Sequence, residues 1–552
     1  MVDAALALPK PIAEQEVACE LFQKREGLRI DAYAGTGKTT TLQLLAYSSS
    51  QRGLYLAFNR SIAEEAQLRF PQQVKCATSH SIAFGAIRRA FGYTEWKLTS
   101  SPTPNMILSS FKMPELITFH SGISLPNRLY CCVVLDSVKR YLQSDDEEPQ
   151  RRHIPRYGCL EALQESEFEE FTHQAIGHVQ AVWNAMRDKG NDLPLGHDGY
   201  LKLWALSQPH ANVDYVMVDE AQDLSQVVLG VLRRIKCPVI YVGDPYQQIY
   251  DWRGAVSAME QVIIKHRVLL SQSFRFGSAI ADAATVLLRT LGAKQPVRGF
   301  TGIQSHVSRV RPDVILARSN VGVIGSVLQC LARGISCHVL GGTRELQRLL
   351  EDVNRIKHGA IAQSPELLGF RSWGDVMAFS AQPEGEHLRG FVALVQEYGE
   401  DTMLRAIAKC EIEETTARVT CSTTHKAKGR EWDYVKVNSD FETGLVRASK
   451  VSFPNRKRGY HQTSFDAEVR LLYVAMTRAK MAVHLPSAVM SRFDFKPTTV
   501  KILGKEFDVK SPENKEIAKI AEPSSQLGVV SPYHSPRQGE SKEMMALRKM
   551  FR

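Results

Sequence analysis

The sequence lacks the features that mark metal-binding, secreted and membrane-spanning proteins. Its 552 residues include 10 cysteines, but no C-x-x-C pair and no cysteine–histidine cluster at the spacing of a zinc or iron–sulfur site. No apolar run approaches the length of about 18 residues that marks a membrane-spanning helix, and no signal peptide is recognisable. We therefore expect reduced cysteines in a cytoplasmic protein that has no membrane partner.

Composition and charge narrow the class further. Hydrophobic residues make up 44% of the chain and charged residues 23%, which is ordinary for a globular protein. A chain of this length exceeds what a single hydrophobic core supports, so several domains are expected. The formal net charge of +10 suits a nucleic-acid partner, although solubility alone explains such an excess equally well.

The most informative segment is a glycine-rich turn between a short apolar strand (28–30) and a helical stretch, TLQLLAY. Glycines allow successive N–H groups to point at phosphate oxygens, and the following helix N-terminus favours an anion. Lys38 is expected to reach the outer phosphates and Thr39 to hold Mg²⁺. The pattern G-x-x-x-x-G-K-[ST] has glycine where this chain has Ala32. The predicted nucleotide contacts of the turn are Ala34, Gly35, Thr36, Gly37, Lys38, Thr39 and Thr40.

A second element supplies the carboxylates that such a site needs. The apolar run 215–218 is typical of a buried parallel strand, and Asp219 and Glu220 stand directly after it. Ligands of open α/β sheets bind at the carboxyl ends of the strands. We therefore assign Asp219 to Mg²⁺ and Glu220 to the general base that activates water.

The strand–turn–helix pattern occurs in both halves of the chain, which predicts an α/β fold with two parallel-sheet domains. Ser61, with Glu64 three residues later, predicts a capping box at the start of one helix. Two long segments, 85–205 and 350–412, are helical by pattern and are expected to be insertions. From residue 499 onward, proline, serine and charged residues predict a mobile tail. Strands are expected near 54–58, 215–218, 239–242, 314–317, 418–422, 434–437 and 481–485.

Further motifs identify a family resemblance. They are LAFNRSIAEEA (56–66), ATSHSIAF (77–84), DEAQD (219–223), VGDPYQQIYDWRGA (242–255), LSQSFRF (270–276), TTHKAKGREWD (423–433) and LLYVAMTRAK (471–480). In this order they resemble superfamily-1 helicases of the UvrD/Rep type. AYAGTGKTTTL and HDGYLKL (197–203) are most similar to the helicase region of F-box DNA helicases, and no F-box segment is expected before the P-loop.

The resemblance implies two RecA-like domains with helical insertions. The implied division is 1–84 with 206–265 for domain 1A, 85–205 for insertion 1B, 266–349 with 413–498 for domain 2A, 350–412 for the short insertion 2B, and 499–552 for the tail.

The resemblance also implies contacts to the adenosine part of ATP. Gln15 would hydrogen-bond the adenine edge, because an amide both donates and accepts. Phe274 would stack on the base, and Glu431 matches the position that binds the ribose.

Other positions match residues that act on the γ-phosphate. Gln247 would sense this phosphate and couple hydrolysis to DNA. Arg275 and Arg478 belong to the second α/β domain and would act as arginine fingers when the two domains close. A single arginine is more often part of a surface salt bridge, and only the motif context favours the catalytic interpretation.

For DNA, the resemblance implies aromatic platforms and backbone contacts that are indifferent to base sequence. An aromatic residue after a strand is by default more often part of the core. The implied platforms are Phe58, Tyr250 and Trp252, and the implied contacts to backbone or neighbouring loops are Thr78, His80 and His425.

The resemblance therefore predicts an ATP- and Mg²⁺-dependent translocase and helicase that moves 3′ to 5′ on single-stranded and tailed duplex DNA. Repair, recombination or replication is the expected setting, as a monomer that is nucleoid-associated if bacterial. One alternative is a translocase that displaces proteins such as recombinase filaments, which the short insertion favours. The other is an ATP switch subunit of a phage-defence or mobile-element complex, which Glu220, Arg275 and Arg478 argue against.

Overall fold

The computed structural model describes residues 9–156, 160, 163–249, 258–360, 362, 364, 367, 370, 372–381, 386–450, 464–497, 501–502 and 505–506. The chain forms two compact units that divide between Ser271 and Gln272. Among the described residues, none of the helices has both the length and the apolar character that crossing a lipid bilayer requires.

The first unit is built on a six-stranded parallel sheet of order β3-β2-β6-β7-β1-β8, and β4 and β5 form a separate antiparallel pair. Its strands are β1 (Leu28–Ala32), β2 (Gly53–Leu56), β3 (Val74–Ala77), β4 (Leu116–Thr118), β5 (Ser124–Pro126), β6 (Tyr215–Val218), β7 (Val239–Gly243) and β8 (His266–Leu270). Its helices are α1 (Ala13–Phe22), α2 (Lys38–Tyr47), α3 (Arg60–Arg69), α4 (Ser79–Phe91), α5 (Glu95–Thr99), α6 (Pro104–Ser110), α7 (Asn127–Gln143), α8 (Glu165–Arg187), α9 (Gly196–Leu206), α10 (Gln226–Arg234) and α11 (Ala258–Gln261).

Both faces of this sheet are buried, which explains why its central strands are continuously apolar. Along β6, Tyr215 and Met217 enter one hydrophobic core while Val216 and Val218 enter the other. This alternation follows from the two-residue period of a strand. The core of Tyr215 and Met217 also contains side chains of α1 and α2, and the core of Val216 and Val218 contains side chains of α7 and α8. The sheet is therefore fixed between two layers, and its strand ends are held in place.

The second unit is built on another six-stranded parallel sheet, of order β11-β12-β10-β13-β14-β9, and β15 and β16 form an antiparallel pair. Its strands are β9 (His306–Val307), β10 (Val314–Ala317), β11 (Cys337–Val339), β12 (Val419–Thr423), β13 (Trp432–Val437), β14 (Ala479–His484), β15 (Lys501–Ile502) and β16 (Lys505–Glu506). Its helices are α12 (Ser278–Thr290), α13 (Asn320–Ala332), α14 (Arg344–Lys357), α15 (Trp373–Ala381), α16 (Glu386–Tyr398), α17 (Glu400–Ala408), α18 (Asp440–Lys450), α19 (Ser464–Met476) and α20 (Ser487–Arg492).

The two parallel sheets confirm the predicted fold class, and every strand that the sequence predicted is present. Among the strands of the two parallel sheets, β3, β8, β9 and β11 were not predicted, and neither were the strands of the two antiparallel pairs. The four unpredicted parallel strands all lie at the edges of their sheets. The structure places β8 in the first sheet, paired with β1, whereas the implied division starts domain 2A at residue 266.

The predicted capping box of Ser61 and Glu64 is wrong. Asn59 is the N-cap of α3, and its side chain accepts a hydrogen bond from the Ile62 N–H at 2.9 Å. The helix therefore begins before Ser61, and Glu64 instead pairs with Arg60 at 2.7 Å. Most of the predicted tail, residues 507–552, lies outside the described residues.

Candidate nucleotide-binding and DNA-binding site

The glycine-rich turn connects β1 to the first turn of α2, at the carboxyl edge of the first sheet. Gly35 and Gly37 have φ angles of 73° and 76°, a left-handed conformation that side chains disfavour. Gly37 is the N-cap of α2 and carries no side chain, so the first N–H groups of the helix are available to an anion. Ala32 belongs to β1 and pairs with Leu270, so no glycine is required at that position.

Lys38 lies beside the predicted general base. Its Nζ is 3.4 Å from Glu220 Oε1. Glu220 has a φ of 51°, an uncommon backbone conformation for a residue with a side chain. Such strain is characteristic of functional sites. The structure therefore brings together the lysine and the acid that lie far apart in the sequence.

Thr39 and Asp219 form the second contact across this edge. Thr39 Oγ1 donates to Asp219 Oδ2 at 3.0 Å, and the Tyr55 hydroxyl donates to the same oxygen at 2.7 Å. Burial and the neighbouring Glu220 carboxylate raise the pKa of Asp219. A hydroxyl and a carboxylate oxygen are ligands that Mg²⁺ prefers, and a cation would offset the cost of ionising a buried acid. These residues therefore fit the metal expected from the sequence.

A chain of hydrogen bonds joins Glu220 to the predicted γ-phosphate sensor. The Gln222 amide donates to Glu220 Oε2, and its carbonyl oxygen accepts from the Asp244 N–H at 3.0 Å. Gln247 in turn donates to Asp244 Oδ2 at 2.7 Å. The base and the sensor are thus connected through two intervening residues, the Gln222 side chain and the backbone N–H and carboxylate of Asp244.

Gln15 lies on α1 and points toward the helix that follows the P-loop. Its amide donates to Thr41 Oγ1 at 3.0 Å and accepts from the Ile12 N–H at 3.1 Å. The side chain is buried, so these two bonds fix its position beside α2. Thr36 is also buried, and its hydroxyl donates to the Tyr33 carbonyl at 2.9 Å. Thr40 lies within α2 and is partly exposed.

The predicted DNA contacts of the first unit lie at two further strand ends. Phe58 follows β2 and is 46% exposed. Thr78 is the N-cap of α4, and its hydroxyl accepts from the Ser81 N–H at 3.0 Å. His80 lies in the first turn of α4, with its Nε2 3.9 Å from Asp198 Oδ1. The predicted platforms Tyr250 and Trp252 lie outside the described residues.

The second unit brings together four of the residues assigned to the nucleotide. Arg275 donates through Nε to Glu431 Oε2 at 2.7 Å and through Nη1 to the Thr477 carbonyl at 3.1 Å. Thr477 directly precedes Arg478, and Phe274 directly precedes Arg275. Phe274 is 40% exposed, with its ring centroid 5.8 Å from that of Phe300.

Arg478 requires a correction of detail. The motif LLYVAMTRAK predicts a helix that includes Arg478, but α19 ends at Met476 and Arg478 occupies the turn before β14. Its guanidinium is buried and donates to the carbonyl oxygens of Val474 and Arg430 at 3.1 and 3.3 Å. The Thr477 hydroxyl donates to the Tyr473 carbonyl oxygen at 2.8 Å, a hydrogen bond at the C-terminal end of α19.

His425, the last predicted DNA contact, lies in the turn after β12. Its carbonyl accepts from the Lys428 N–H at 3.3 Å. This position is in the second unit.

Three polar residues that position the first site were not predicted. Gln222 and Asp244 stand inside the quoted motifs DEAQD and VGDPYQQ, where their polarity between buried strands was an available signal. No sequence signal marked Tyr55 as a site residue, because an aromatic residue in an apolar strand is expected to belong to the hydrophobic core. Only the pairing of β2 with β6 places its hydroxyl beside Asp219.

Two family models match this chain. One, described as the UvrD/REP helicase N-terminal domain, matches residues 13–263, and the other, the UvrD-like helicase C-terminal domain, matches residues 347–488.

Comparison with curated proteins agrees with the family models. F-box DNA helicase protein 1 of Schizosaccharomyces pombe is 28% identical over 531 residues, which cover 88% of this chain and 58% of that protein. F-box DNA helicase 1 of Gallus gallus is 29% identical over 498 residues, covering 85% of this chain and 48% of the relative. The ATP-dependent DNA helicase SRS2 of Saccharomyces cerevisiae is 22% identical over 328 residues, which cover 52% of this chain and 27% of that protein.

The chain thus spans about half the length of the two F-box helicases that it resembles. Both family models and these relatives confirm the resemblance and the enzyme class predicted from the motifs, an ATP-hydrolysing DNA helicase, at the level of the family. The chain belongs to the UvrD/Rep-type DNA helicases of superfamily 1.

Proposed function

We propose that this chain is an ATP-dependent translocase on single-stranded DNA that unwinds tailed duplexes with 3′-to-5′ polarity. The observation that carries the proposal is the pair of contacts across the edge of the first sheet, Lys38 with Glu220 and Thr39 with Asp219. A phosphate-binding loop alone would serve any nucleotide-binding protein. A phosphate-binding loop in contact with a general base and a metal-binding carboxylate is suited to ATP hydrolysis.

In this proposal each polar group of the first unit has a separate task. Lys38 and the N–H groups at the start of α2 bind the outer phosphates, and Gln15 contacts the base. Asp219 and Thr39 would hold Mg²⁺, which when bound neutralises charge on the phosphates. Glu220 accepts a proton from the attacking water through a carboxylate oxygen. Gln222 holds that carboxylate by its amide, and so limits the directions in which it can accept the proton.

The second unit supplies the guanidinium groups. Arg275 and Arg478 are proposed to stabilise the negative charge that develops on the γ-phosphate, as arginine fingers do in related phosphoryl transfers. Phe274 and Glu431 are proposed to contact the base and the ribose, which their exposure permits. Gln247 is proposed to couple this chemistry to DNA through Asp244.

The proposed partners are single-stranded and tailed duplex DNA, bound by a monomer in repair, recombination or replication. Phe58, Thr78, His80 and His425 are proposed DNA contacts, and the exposed ring of Phe58 suits base stacking. We also propose the division into domains 1A, 1B, 2A and 2B as given by the family resemblance, with β8 added to the first sheet.

A second candidate function is the displacement of proteins from DNA with little unwinding. It is favoured by the small size of the helical segment before β12, where the described helices α15, α16 and α17 span only 9, 13 and 9 residues. A small insertion offers little surface for holding a duplex. Recombinase filaments are the expected substrate in this case.

Single-turnover unwinding of duplexes with a 3′ or a 5′ single-stranded tail tests the proposal. We expect ATP-dependent strand separation of the 3′-tailed duplex and none with Lys38→Ala, because backbone amides alone do not offset the charge of the outer phosphates. ATP hydrolysis that rises with single-stranded DNA but yields no unwinding, together with release of a protein bound to the strand, would favour the second candidate. Hydrolysis that does not respond to DNA would exclude both.

A further inference from the structure

Four cysteines gather at one edge of the second sheet. Cys337 lies in the edge strand β11, Cys421 in the adjacent strand β12, and Cys330 on α13. Cys410 follows the end of α17. None of the motifs given above contains these cysteines, although Cys421 lies four residues before His425.

The strand register explains why these thiols meet. Val339 pairs with Cys421, and side chains two residues apart on a strand share a face, so Cys337 and Cys421 face the same side. On the free edge of β11, His338 forms a parallel bridge with Glu411, and the Glu411 N–H donates to the Cys337 carbonyl at 2.8 Å. Cys410 therefore lies beside Cys337 as residues do on neighbouring strands.

The Cys337 and Cys410 sulfur atoms are 3.9 Å apart. A disulfide needs a bond of about 2.05 Å and Cα atoms about 4.4–6.8 Å apart, and adjacent strands lie about 4.8 Å apart. Rotation of the two side chains is thus sufficient to form the bond, without a shift of the backbone. Among the described residues no group of three or more cysteine, histidine or acidic side chains has an arrangement that could hold a metal ion.

The two thiols differ in their access to solvent. Cys337 is fully buried, whereas Cys410 is only partly buried and lies close to Ile412, which is 93% exposed. A small oxidant can reach Cys410 from the surface, and Cys337 is placed to react second. Hydrogen bonds from the thiols of Cys410 and Cys421 lower the pKa of Cys337, whereas the same contact and burial raise the pKa of Cys410. Access to solvent therefore makes Cys410 the first thiol to meet the oxidant, and Cys337 supplies the thiolate that attacks second.

We propose that Cys337 and Cys410 are an oxidisable pair that closes into a disulfide on reaction with a peroxide. Cys410 sulfur attacks one peroxide oxygen, the O–O bond breaks, and sulfenic acid and water form. Cys337 gives up its proton, its thiolate sulfur attacks the Cys410 sulfur, the S–O bond breaks, and the departing hydroxide takes up one proton to leave as a second water. The two thiols lose two electrons, and one peroxide is reduced to two waters.

The bond would close a covalent loop around α14, α15, α16 and α17. It would attach the C-terminal end of this helical segment to the edge of the second sheet, because Cys410 lies between α17 and β12. A cross-link of this kind restricts the unfolded chain and so stabilises the unit that contains it. The proposal does not depend on helicase activity.

Peptide mapping of the full chain tests it. Reduced protein is treated with hydrogen peroxide, the remaining thiols are blocked with N-ethylmaleimide, and the digest is analysed by mass spectrometry. We expect a peptide pair joined through Cys337 and Cys410, about 2 Da lighter than the two reduced peptides together and separated again by dithiothreitol. Cys410→Ser should lose this pair, and Cys132→Ser, a partly buried cysteine of the first unit, should retain it.

Thermal unfolding provides the second readout. Oxidation should raise the unfolding midpoint of the chain without substitutions and of Cys132→Ser, and should not raise that of Cys410→Ser. A Cys337–Cys421 link in place of the expected pair, or oxidation of Cys410 that stops at the sulfinic acid, would overturn the proposal. The peptide map of the oxidised chain without substitutions shows which cysteines are joined even if Cys410→Ser folds poorly.

Discussion

The hydroxyl group of Tyr55 provides the sharpest test of the metal-binding acid. It donates to Asp219 Oδ2 at 2.7 Å in a buried environment, where Thr39 is the other described donor to the same oxygen. Tyr55→Phe removes this one hydrogen bond and keeps the ring that packs in the core. Because burial and Glu220 already raise the pKa of Asp219, loss of the donor should raise it further. The protonated acid does not hold Mg²⁺.

The expected change in Mg²⁺ requirement follows from the free energy that such a hydrogen bond contributes. A hydrogen bond to a charged group contributes about 1.5–3 kcal/mol, and each 1.36 kcal/mol corresponds to about a factor of ten. The Mg²⁺ concentration for half-maximal ATP hydrolysis should therefore rise about tenfold to a hundredfold. The defect should be largest at low pH and should shrink as the pH rises, because deprotonation of Asp219 then no longer limits metal binding.

Tyr215→Phe is a matched control. Tyr215 lies on the neighbouring strand β6 and in the same core, and its buried hydroxyl has no hydrogen-bond partner in the described part of the chain. ATP hydrolysis is measured against Mg²⁺ concentration at several pH values for the unmodified chain and both variants. An unchanged Mg²⁺ requirement in Tyr55→Phe, or an equal rise in Tyr215→Phe, would refute the role assigned to the Tyr55 hydroxyl.

Three further predictions concern other groups of the site. Glu220→Gln should bind ATP and DNA yet hydrolyse ATP about 10²- to 10⁴-fold more slowly, since an amide cannot accept a proton from water; near-normal steady-state turnover would remove it from the base role. Asp219→Asn should raise the thermal midpoint of the ligand-free protein, and more at pH 8 than at pH 4. Because the pKa of Asp219 is raised in the folded chain, Asp219 keeps a proton there that the unfolded chain releases above the ordinary pKa of 3.8. The stability of the unsubstituted chain therefore falls as the pH rises, and Asp219→Asn removes this loss. An equal gain in thermal midpoint at both pH values would contradict this reasoning. Phe58→Ala should weaken single-strand binding by about 1–3 kcal/mol in a fluorescence titration without lowering the thermal midpoint. The control Tyr47→Ala, at a residue that is 53% exposed against 46% for Phe58, should not change affinity, and a loss of stability in Phe58→Ala without a loss of affinity would assign Phe58 to the core.

Much of the first site was predictable because its signals are local. The left-handed glycines, the lysine and threonine after them, and the acidic pair after an apolar strand each depend on a few consecutive residues. The apolar runs also determined the two parallel sheets, because a strand buried on both faces must be apolar throughout. The roles of Gln15, Arg275, Arg478 and Glu431 came from family resemblance, and they remain predictions.

Other features depended on pairings between distant segments, which no local pattern records. The hydroxyl of Tyr55 meets Asp219 only because β2 pairs with β6, and β8 belongs to the first sheet only because it pairs with β1. Cys337 meets Cys410 only through the bridge on the free edge of β11. The sequence by itself determined the chemistry of the phosphate-binding turn, since its geometry is set by neighbouring residues. Tertiary structure alone decided which buried polar groups and thiols touch, because strand register is fixed by packing across the whole sheet.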